Sequence, residues 1–174
     1  MNVKKIPNIL SLGRILISLS LIFLFEKFSL FLTFYLLAGL TDVLDGFVAR
    51  KLNVQSALGA KLDSIGDFVF YGVLIAYLAT KHNELVMTYL IFIILILLFR
   101  VINIVFGFIK YKKLILVHTI ANKLTGFLVF LLPILIWFER RELIVIVIVI
   151  ALLSPIEEFF IIFRNHDLNK KCLL

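Results

Sequence analysis

Long runs of apolar residues, separated by short clusters of charged residues, make up nearly the whole chain. A helix needs about 20 apolar residues to cross the hydrocarbon core of a bilayer. Lipid offers no partners to exposed backbone groups, so membrane spans are helices or closed barrels. The alternating pattern of barrel strands is absent from this sequence. The pattern therefore predicts six membrane-spanning helices, which lie near Ile9–Phe25, Phe28–Val48, Ala57–Ala79, Leu85–Ile109, Ala121–Phe138 and Leu143–Phe163.

The composition agrees with a protein whose main solvent is lipid. Of its 174 residues, 63% are hydrophobic and 17% are charged, whereas soluble domains average about 45–50% apolar and about 25% charged residues. Six spans with short connections use the whole length, so we expect an all-α bundle that forms one membrane domain over residues 1–174. No small-residue cleavage site follows the first apolar run, and we expect that run to be retained as the first helix.

The distribution of lysine and arginine predicts the orientation of the spans. Cytoplasmic loops of membrane proteins carry an excess of these residues. With the amino terminus inside, most of the basic residues fall on the cytoplasmic side. We therefore expect both termini in the cytoplasm, in a protein of the cytoplasmic membrane. The net charge of +7 suits anionic lipid headgroups, and we expect no nucleic-acid partner. On the side of the membrane opposite to the cytoplasm, this orientation leaves only four basic residues, Lys27, Lys81, Arg140 and Arg141.

Four aspartates lie within two consecutive predicted spans, at spacings typical of one helix face. Asp42 and Asp45 are three residues apart, and Asp63 and Asp67 are four residues apart, so each pair shares a face of its helix. At a rise of about 1.5 Å per residue, Asp45 and Asp63 lie roughly 10 Å from the connecting loop. Asp42 and Asp67 lie roughly 15 Å from it. Because the two helices are antiparallel, we expect the carboxylates at matching depths.

Such a group of acids requires a cationic partner. Each ionised residue in a span costs at least about 2.5–3.5 kcal/mol, and facing carboxylates repel one another. Oxygen ligands suit Mg²⁺, Mn²⁺ or Ca²⁺, and two such ions stabilise an in-line displacement at phosphorus. The aspartates therefore predict a divalent-metal site in an enzyme that acts on phosphate groups. The alternative is a set of solvated acids, or acids paired only with Arg50, Lys51 and Lys61.

The sequence around the aspartates resembles the signature of the CDP-alcohol phosphatidyltransferase family, D-x2-D-G-x2-A-R-x8-G-x3-D-x3-D. The amino-terminal stretch, residues 7–11 with Arg14, also resembles the start of that family. Every fixed position of the signature is matched, which makes a chance match improbable. The matching residues are Asp42, Asp45, Gly46, Ala49, Arg50, Gly59, Asp63 and Asp67.

The resemblance implies a reaction between a CDP-linked lipid, such as CDP-diacylglycerol, and an alcohol. The alcohol hydroxyl attacks the lipid-side phosphorus, and CMP is released. The resemblance also implies that the four aspartates hold two divalent cations, Mg²⁺ or Mn²⁺, and that Asp67 also serves as the general base. It is compatible with a homodimer. The residues that it assigns to the cytidine diphosphate pocket are Gly46, Ala49, Arg50 and Gly59.

Two cations outside the signature are candidates for binding the acceptor alcohol. Arg100 lies inside the fourth predicted span, where an unpaired guanidinium is costly. Lys123 opens the fifth span, and its Lys-x-Thr context resembles that of phosphatidylglycerophosphate synthases, whose acceptor is a phosphate ester. Glycerol 3-phosphate is therefore the first expected acceptor, with serine, inositol phosphate and phosphatidylglycerol as alternatives. The alternative role for Lys123 is to snorkel towards the interface.

A cation transporter is the alternative function of another class, because intramembrane aspartates also occur in ion pathways. Transporters often contain inverted repeats, with the binding site near the bilayer midplane. In this chain the acids cluster in two adjacent spans near one membrane face, and no internal repeat is visible. This arrangement favours catalysis at the membrane surface.

Overall fold

The structure, a computed structural model, describes residues 6–51, 57–112 and 119–164. Within these ranges some side chains of the second and third helices are not described, among them four of the signature positions: Asp45, Gly46, Ala49 and Arg50. Every regular element of the described residues is helical, which confirms the all-α prediction. The α-helices are α1 Ile6–Ser20, α2 Phe28–Lys51, α3 Ala57–Lys81, α4 Asn83–Thr88, α5 Leu90–Tyr111, α6 Ile120–Trp137 and α7 Arg141–Arg164.

The helices follow the predicted spans, with two local differences. The first span ends in a 3-10 turn, Leu21–Leu24, instead of continuing as an α-helix. The fourth span is divided at Tyr89, whose backbone angles (φ −105°, ψ 9°) leave the α-helical region. The amides of Phe92 and Ile93 both donate to the Tyr89 carbonyl, each at 3.1 Å, so a new helix begins there. The apolar pattern runs through Tyr89 without interruption and therefore gives no sign of this break.

Four segments of the described chain are long and apolar enough to cross a membrane. Two shorter apolar segments are Asn8–Leu24, which comprises most of α1 and the 3-10 turn, and Phe28–Asp42 of α2. The prediction of six spans, with α1 and α2 among them, therefore stays a prediction. The four long segments are Lys61–Lys81, Leu90–Tyr111, Ile120–Trp137 and Arg141–Arg164.

The chain divides into two compact units, Met1–Val86 and Met87–Leu174. In the first unit, α1 packs against both α2 and α3. Aromatic rings join α2 to α3: Phe31 stacks on Tyr77 with ring centroids 4.0 Å apart, and Tyr35 stacks on Phe70 at 4.7 Å. All four side chains are buried. This stack fixes the register of the two helices that carry the aspartates.

In the second unit, α7 packs against both α5 and α6. Polar side chains of α5 bind the backbone of α7 at two levels. The buried Asn103 donates to the Pro155 carbonyl at 2.7 Å, and Lys110 Nζ donates to the Ile162 and Phe163 carbonyls at 2.7 and 2.8 Å. The last carbonyls of a helix lack partners within it. Lys110 therefore caps the carboxyl end of α7.

Candidate metal centre

Three of the four predicted metal ligands meet in the first unit. Asp42 lies on α2, and Asp63 and Asp67 lie one helical turn apart on α3. One carboxylate oxygen from each lies within 4.8 Å of the other two. The three side chains are 42%, 51% and 53% exposed, in that order. The cluster is therefore open to a ligand from outside the helices.

The remaining signature positions lie on the same two helices as this cluster. Asp45, Gly46, Ala49 and Arg50 belong to α2, but their side chains lie outside the described residues. Gly59 lies in the first turn of α3 and is partly buried. The assignments of Asp45 to the metal and of the other four residues to the CDP pocket stay predictions.

An arginine of α1 lies among the three carboxylates. Arg14 is 1% exposed and forms ion pairs with Asp42, Asp63 and Asp67. Its Nη2 is 3.1 Å from Asp63 Oδ1, and its Nη1 is 3.2 Å from Asp67 Oδ1. Nη2 also donates to the Asp63 carbonyl at 2.8 Å. The guanidinium thus ties α1 to the acidic faces of α2 and α3.

The sequence alone places Arg14 in the amino-terminal stretch that resembles the family and gives it no partner, so its contact with the aspartates is a residue role that the sequence did not predict. One signal for it exists in the sequence. Ser11, Arg14 and Ser18 are polar, are spaced by three and four residues in a mostly apolar helix, and so share one face. All three are buried. A polar face on an apolar helix indicates a polar partner, although it does not say which one.

Gly66 leaves space for the Arg14 guanidinium. This glycine lies on α3 between Asp63 and Asp67, and it is buried. A Cβ atom at Gly66 would lie 2.6 Å from Arg14 Nε and 2.7 Å from Arg14 Cζ, well inside van der Waals contact. A larger residue at this position therefore requires the guanidinium to move.

The acceptor candidates lie in the second unit. Arg100 on α5 is partly buried, and its Nη2 donates to Asn122 Oδ1 on α6 at 3.2 Å. The same Asn122 oxygen accepts a hydrogen bond from Ser154 Oγ on α7. Lys123, the next residue on α6, is exposed. Asn122 therefore joins Arg100 to both neighbouring helices, a role that the sequence did not predict.

The acidic cluster has the donor atoms that a hard divalent cation requires. Mg²⁺ and Mn²⁺ are bound by carboxylate and water oxygens, and Asp42, Asp63 and Asp67 each present a carboxylate oxygen to the same space. The partial exposure of these side chains leaves room for water or substrate oxygens as further ligands. The described residues therefore fit the predicted metal.

Comparison with known proteins gives the family of the chain. The model of the CDP-alcohol phosphatidyltransferase family matches residues 4–156, and the chain belongs to this family. The long apolar helices of the described residues agree with a membrane-bound member of this family. No solved structure matches the chain.

Several curated relatives share parts of the sequence. "Cardiolipin synthase (CMP-forming)" of Rattus norvegicus is 38% identical over 120 residues, which are 67% of this chain and 39% of the rat protein. "CDP-diacylglycerol--glycerol-3-phosphate 3-phosphatidyltransferase" of Aquifex aeolicus is 41% identical over 68 residues, 38% of each protein. "CDP-diacylglycerol--serine O-phosphatidyltransferase" of Methanocaldococcus jannaschii is 54% identical over 43 residues, 25% of this chain and 21% of that protein. The matches thus cover less than half of each relative.

Proposed function

We propose that the protein transfers a phosphatidyl group from a CDP-linked lipid, such as CDP-diacylglycerol, to an alcohol and releases CMP. The observation that carries this proposal is the convergence of Asp42, Asp63 and Asp67, three fixed positions of the signature, on one space in the first unit. The family match over residues 4–156 supports the same reaction. The acids lie in the halves of α2 and α3 that adjoin their connection, which suits chemistry nearer to one membrane face than to the other.

The reaction requires a proton acceptor and a way to bring an anionic donor to acidic residues. Two divalent cations, Mg²⁺ or Mn²⁺, held by Asp42, Asp45, Asp63 and Asp67, would supply the positive charge that a pyrophosphate needs in this site. Asp67, which is 53% exposed, accepts the proton of the acceptor hydroxyl. The hydroxyl oxygen bonds to the lipid-side phosphorus, and the bond from that phosphorus to CMP breaks, so CMP leaves with the bonding electrons.

Different residues bind the donor and the acceptor in this proposal. Gly46, Ala49, Arg50 and Gly59 line the pocket for the cytidine diphosphate group, as the resemblance implies. Arg100 and Lys123 bind the acceptor, because guanidinium and ammonium groups form strong, charge-assisted hydrogen bonds to phosphate oxygens.

Glycerol 3-phosphate is the first proposed acceptor. It is an anionic alcohol, which suits the two cations, and it is named in the Aquifex relative. Phosphatidylglycerol is the second, because its phosphatidylation yields cardiolipin and the match to the rat cardiolipin synthase covers 67% of this chain. Serine and inositol phosphate are the remaining alternatives.

The first experiment measures CMP release by the purified full-length protein. CDP-diacylglycerol is supplied with Mg²⁺ or Mn²⁺ and with each candidate acceptor in turn, and the lipid product is identified by mass spectrometry. We expect CMP release that requires both the metal and one particular acceptor. Cation flux into proteoliposomes, with no turnover of CDP-diacylglycerol under any of these conditions, would instead establish the transporter alternative.

We further propose that α1 and α2 also span the membrane, which places both termini and the aspartates on the cytoplasmic side of the cytoplasmic membrane. The distribution of basic residues supports this orientation. We also propose, by resemblance to the family, that the protein forms a homodimer. Its apolar helices would lie in the bilayer.

The only cysteine of the chain, Cys172, gives a direct test of this orientation. A membrane-impermeant maleimide should label Cys172 in inverted membrane vesicles, where the cytoplasmic side faces outwards. It should not label this residue in intact right-side-out vesicles until detergent is added. Labelling of intact right-side-out vesicles, with a Cys172→Ser control that stays unlabelled, would place the carboxyl terminus outside and refute the proposed orientation.

A further inference from the structure

The Arg14 ion pairs involve the same carboxylates that are proposed to hold the metal. The guanidinium contacts Oδ1 of Asp42, Asp63 and Asp67, and these three side chains form the candidate metal-binding group. We propose that Arg14 is an internal counter-cation of this site. In the metal-free protein it holds the three carboxylates together, and divalent cations bind there in competition with it. This inference rests on the proposed metal site.

The burial of Arg14 limits the screening of its ion pairs by water and salt. A surface ion pair is weakened by water and salt, but the Arg14 side chain is 1% exposed, whereas its partners are about half exposed. The guanidinium therefore approaches from the protein interior and leaves the outer side of the cluster accessible. A divalent cation enters from that outer side.

Arg14 directs its two terminal nitrogens to the aspartates and leaves its Nε without an acceptor among the described residues. Nη1 and Nη2 both bind carboxylates, and Nη2 also binds the Asp63 carbonyl. The buried Nε has no acceptor among the described residues, and an unmet buried donor is unfavourable. The position of the guanidinium is thus set by the three carboxylates rather than by complete hydrogen bonding of its own donors.

Competition follows from charge. A guanidinium and a divalent cation bound by the same carboxylates are only a few ångströms apart, and like charges at this range repel. Arg14 must therefore move away or weaken metal binding. Gly66 is the position that accommodates the present arrangement, since any side chain there displaces the end of Arg14.

Three variants of the full-length protein test the proposal. Arg14→Met removes the charge and keeps an unbranched apolar side chain. Arg14→Lys keeps the charge but loses the planar group that reaches several carboxylates together. Gly66→Ala keeps Arg14 and displaces its guanidinium. The matched control is Lys81→Met, because Lys81 pairs with Glu26 in the same unit, away from the aspartates.

The measurements are Mn²⁺ affinity by electron paramagnetic resonance, without lipid substrate, and the unfolding temperature in EDTA. For Arg14→Met we expect an Mn²⁺ affinity at least about 10-fold higher than that of the parent protein, because the variant lacks the nearby positive charge. We also expect a lower unfolding temperature in EDTA and a larger rise when Mn²⁺ is added. Gly66→Ala and Arg14→Lys should change both quantities in the same directions by smaller amounts, and Lys81→Met should change neither.

The outcomes separate this inference from the proposed function. If the parent protein binds no Mn²⁺, the metal site itself is wrong. If the parent binds Mn²⁺ and Arg14→Met binds it equally or more weakly, Arg14 does not compete and the inference is overturned. Should Arg14→Met fail to fold, Gly66→Ala decides: unchanged Mn²⁺ affinity and unchanged stability in EDTA overturn the inference, and tighter binding with lower stability supports it.

Discussion

Replacement of Asp63 by asparagine should lower CMP release by about 10²-fold or more, a loss typical of removing one group that contributes to electrostatic stabilisation of the transition state. Asparagine has nearly the same shape as aspartate, but it is a neutral and weaker ligand for a hard cation. The same change should weaken Mn²⁺ binding. Asp42→Asn should behave in the same way, because its carboxylate faces the same space. Initial rates of CMP release and Mn²⁺ titration measure the two effects.

A matched control separates a loss of the site from a general effect of charge. Glu26→Gln removes one carboxylate charge from the same unit, where Glu26 is exposed and pairs with Lys81. This variant should keep its CMP release and its Mn²⁺ affinity. If Asp42→Asn and Asp63→Asn also keep both, the three clustered carboxylates are not a metal site and the proposed mechanism fails.

The aspartate cluster was predictable because it depends on local geometry. A spacing of three or four residues places two side chains on one face of any α-helix, and a short connection makes neighbouring helices antiparallel. These two rules are enough to bring Asp42, Asp63 and Asp67 together, and the structure has them within reach of one ion. The helix positions were predictable for a similar reason, since apolar runs of membrane length have few alternatives to a helix.

The role of Arg14 was not predictable, because it depends on how α1 packs against α2 and α3. The separation along the chain between Arg14 and its partner Asp67 is 53 residues, and no local rule connects them. The same holds for Asn122, whose contacts with Arg100 and Ser154 require the packing of three helices. The helix break at Tyr89 is a different case. The apolar pattern predicts the span, but it does not show that a single residue within the span is non-helical.

The contacts of Asn122 also show what a guanidinium inside an apolar helix needs. A charged group in a membrane span is costly unless polar groups surround it, and Arg100 has the Asn122 oxygen as a neutral partner at 3.2 Å. A neutral partner leaves the positive charge of Arg100 uncompensated by this contact. Such a charge suits an anionic ligand. We therefore choose Arg100, rather than Lys123, for the test of acceptor binding.

Replacement of Arg100 by methionine should raise the KM for glycerol 3-phosphate, or for whichever acceptor supports CMP release. A hydrogen bond to a charged group contributes about 1.5–3 kcal/mol, which corresponds to roughly a 10- to 100-fold change in affinity. The KM for CDP-diacylglycerol should stay nearly constant, because the donor is assigned to the signature residues of the first unit. Steady-state kinetics with each substrate varied in turn measures both values.

Two further variants decide between binding of the acceptor and support of the fold. Arg141→Met removes an exposed arginine from the start of α7, and it should leave both KM values unchanged. Ser154→Ala removes the hydrogen bond from Ser154 to the Asn122 side-chain oxygen but retains the Arg100 charge, so it should raise the acceptor KM by less than Arg100→Met does. If Arg100→Met lowers the unfolding temperature and leaves the acceptor KM unchanged, Arg100 supports helix packing through Asn122, and the acceptor must be bound by other residues.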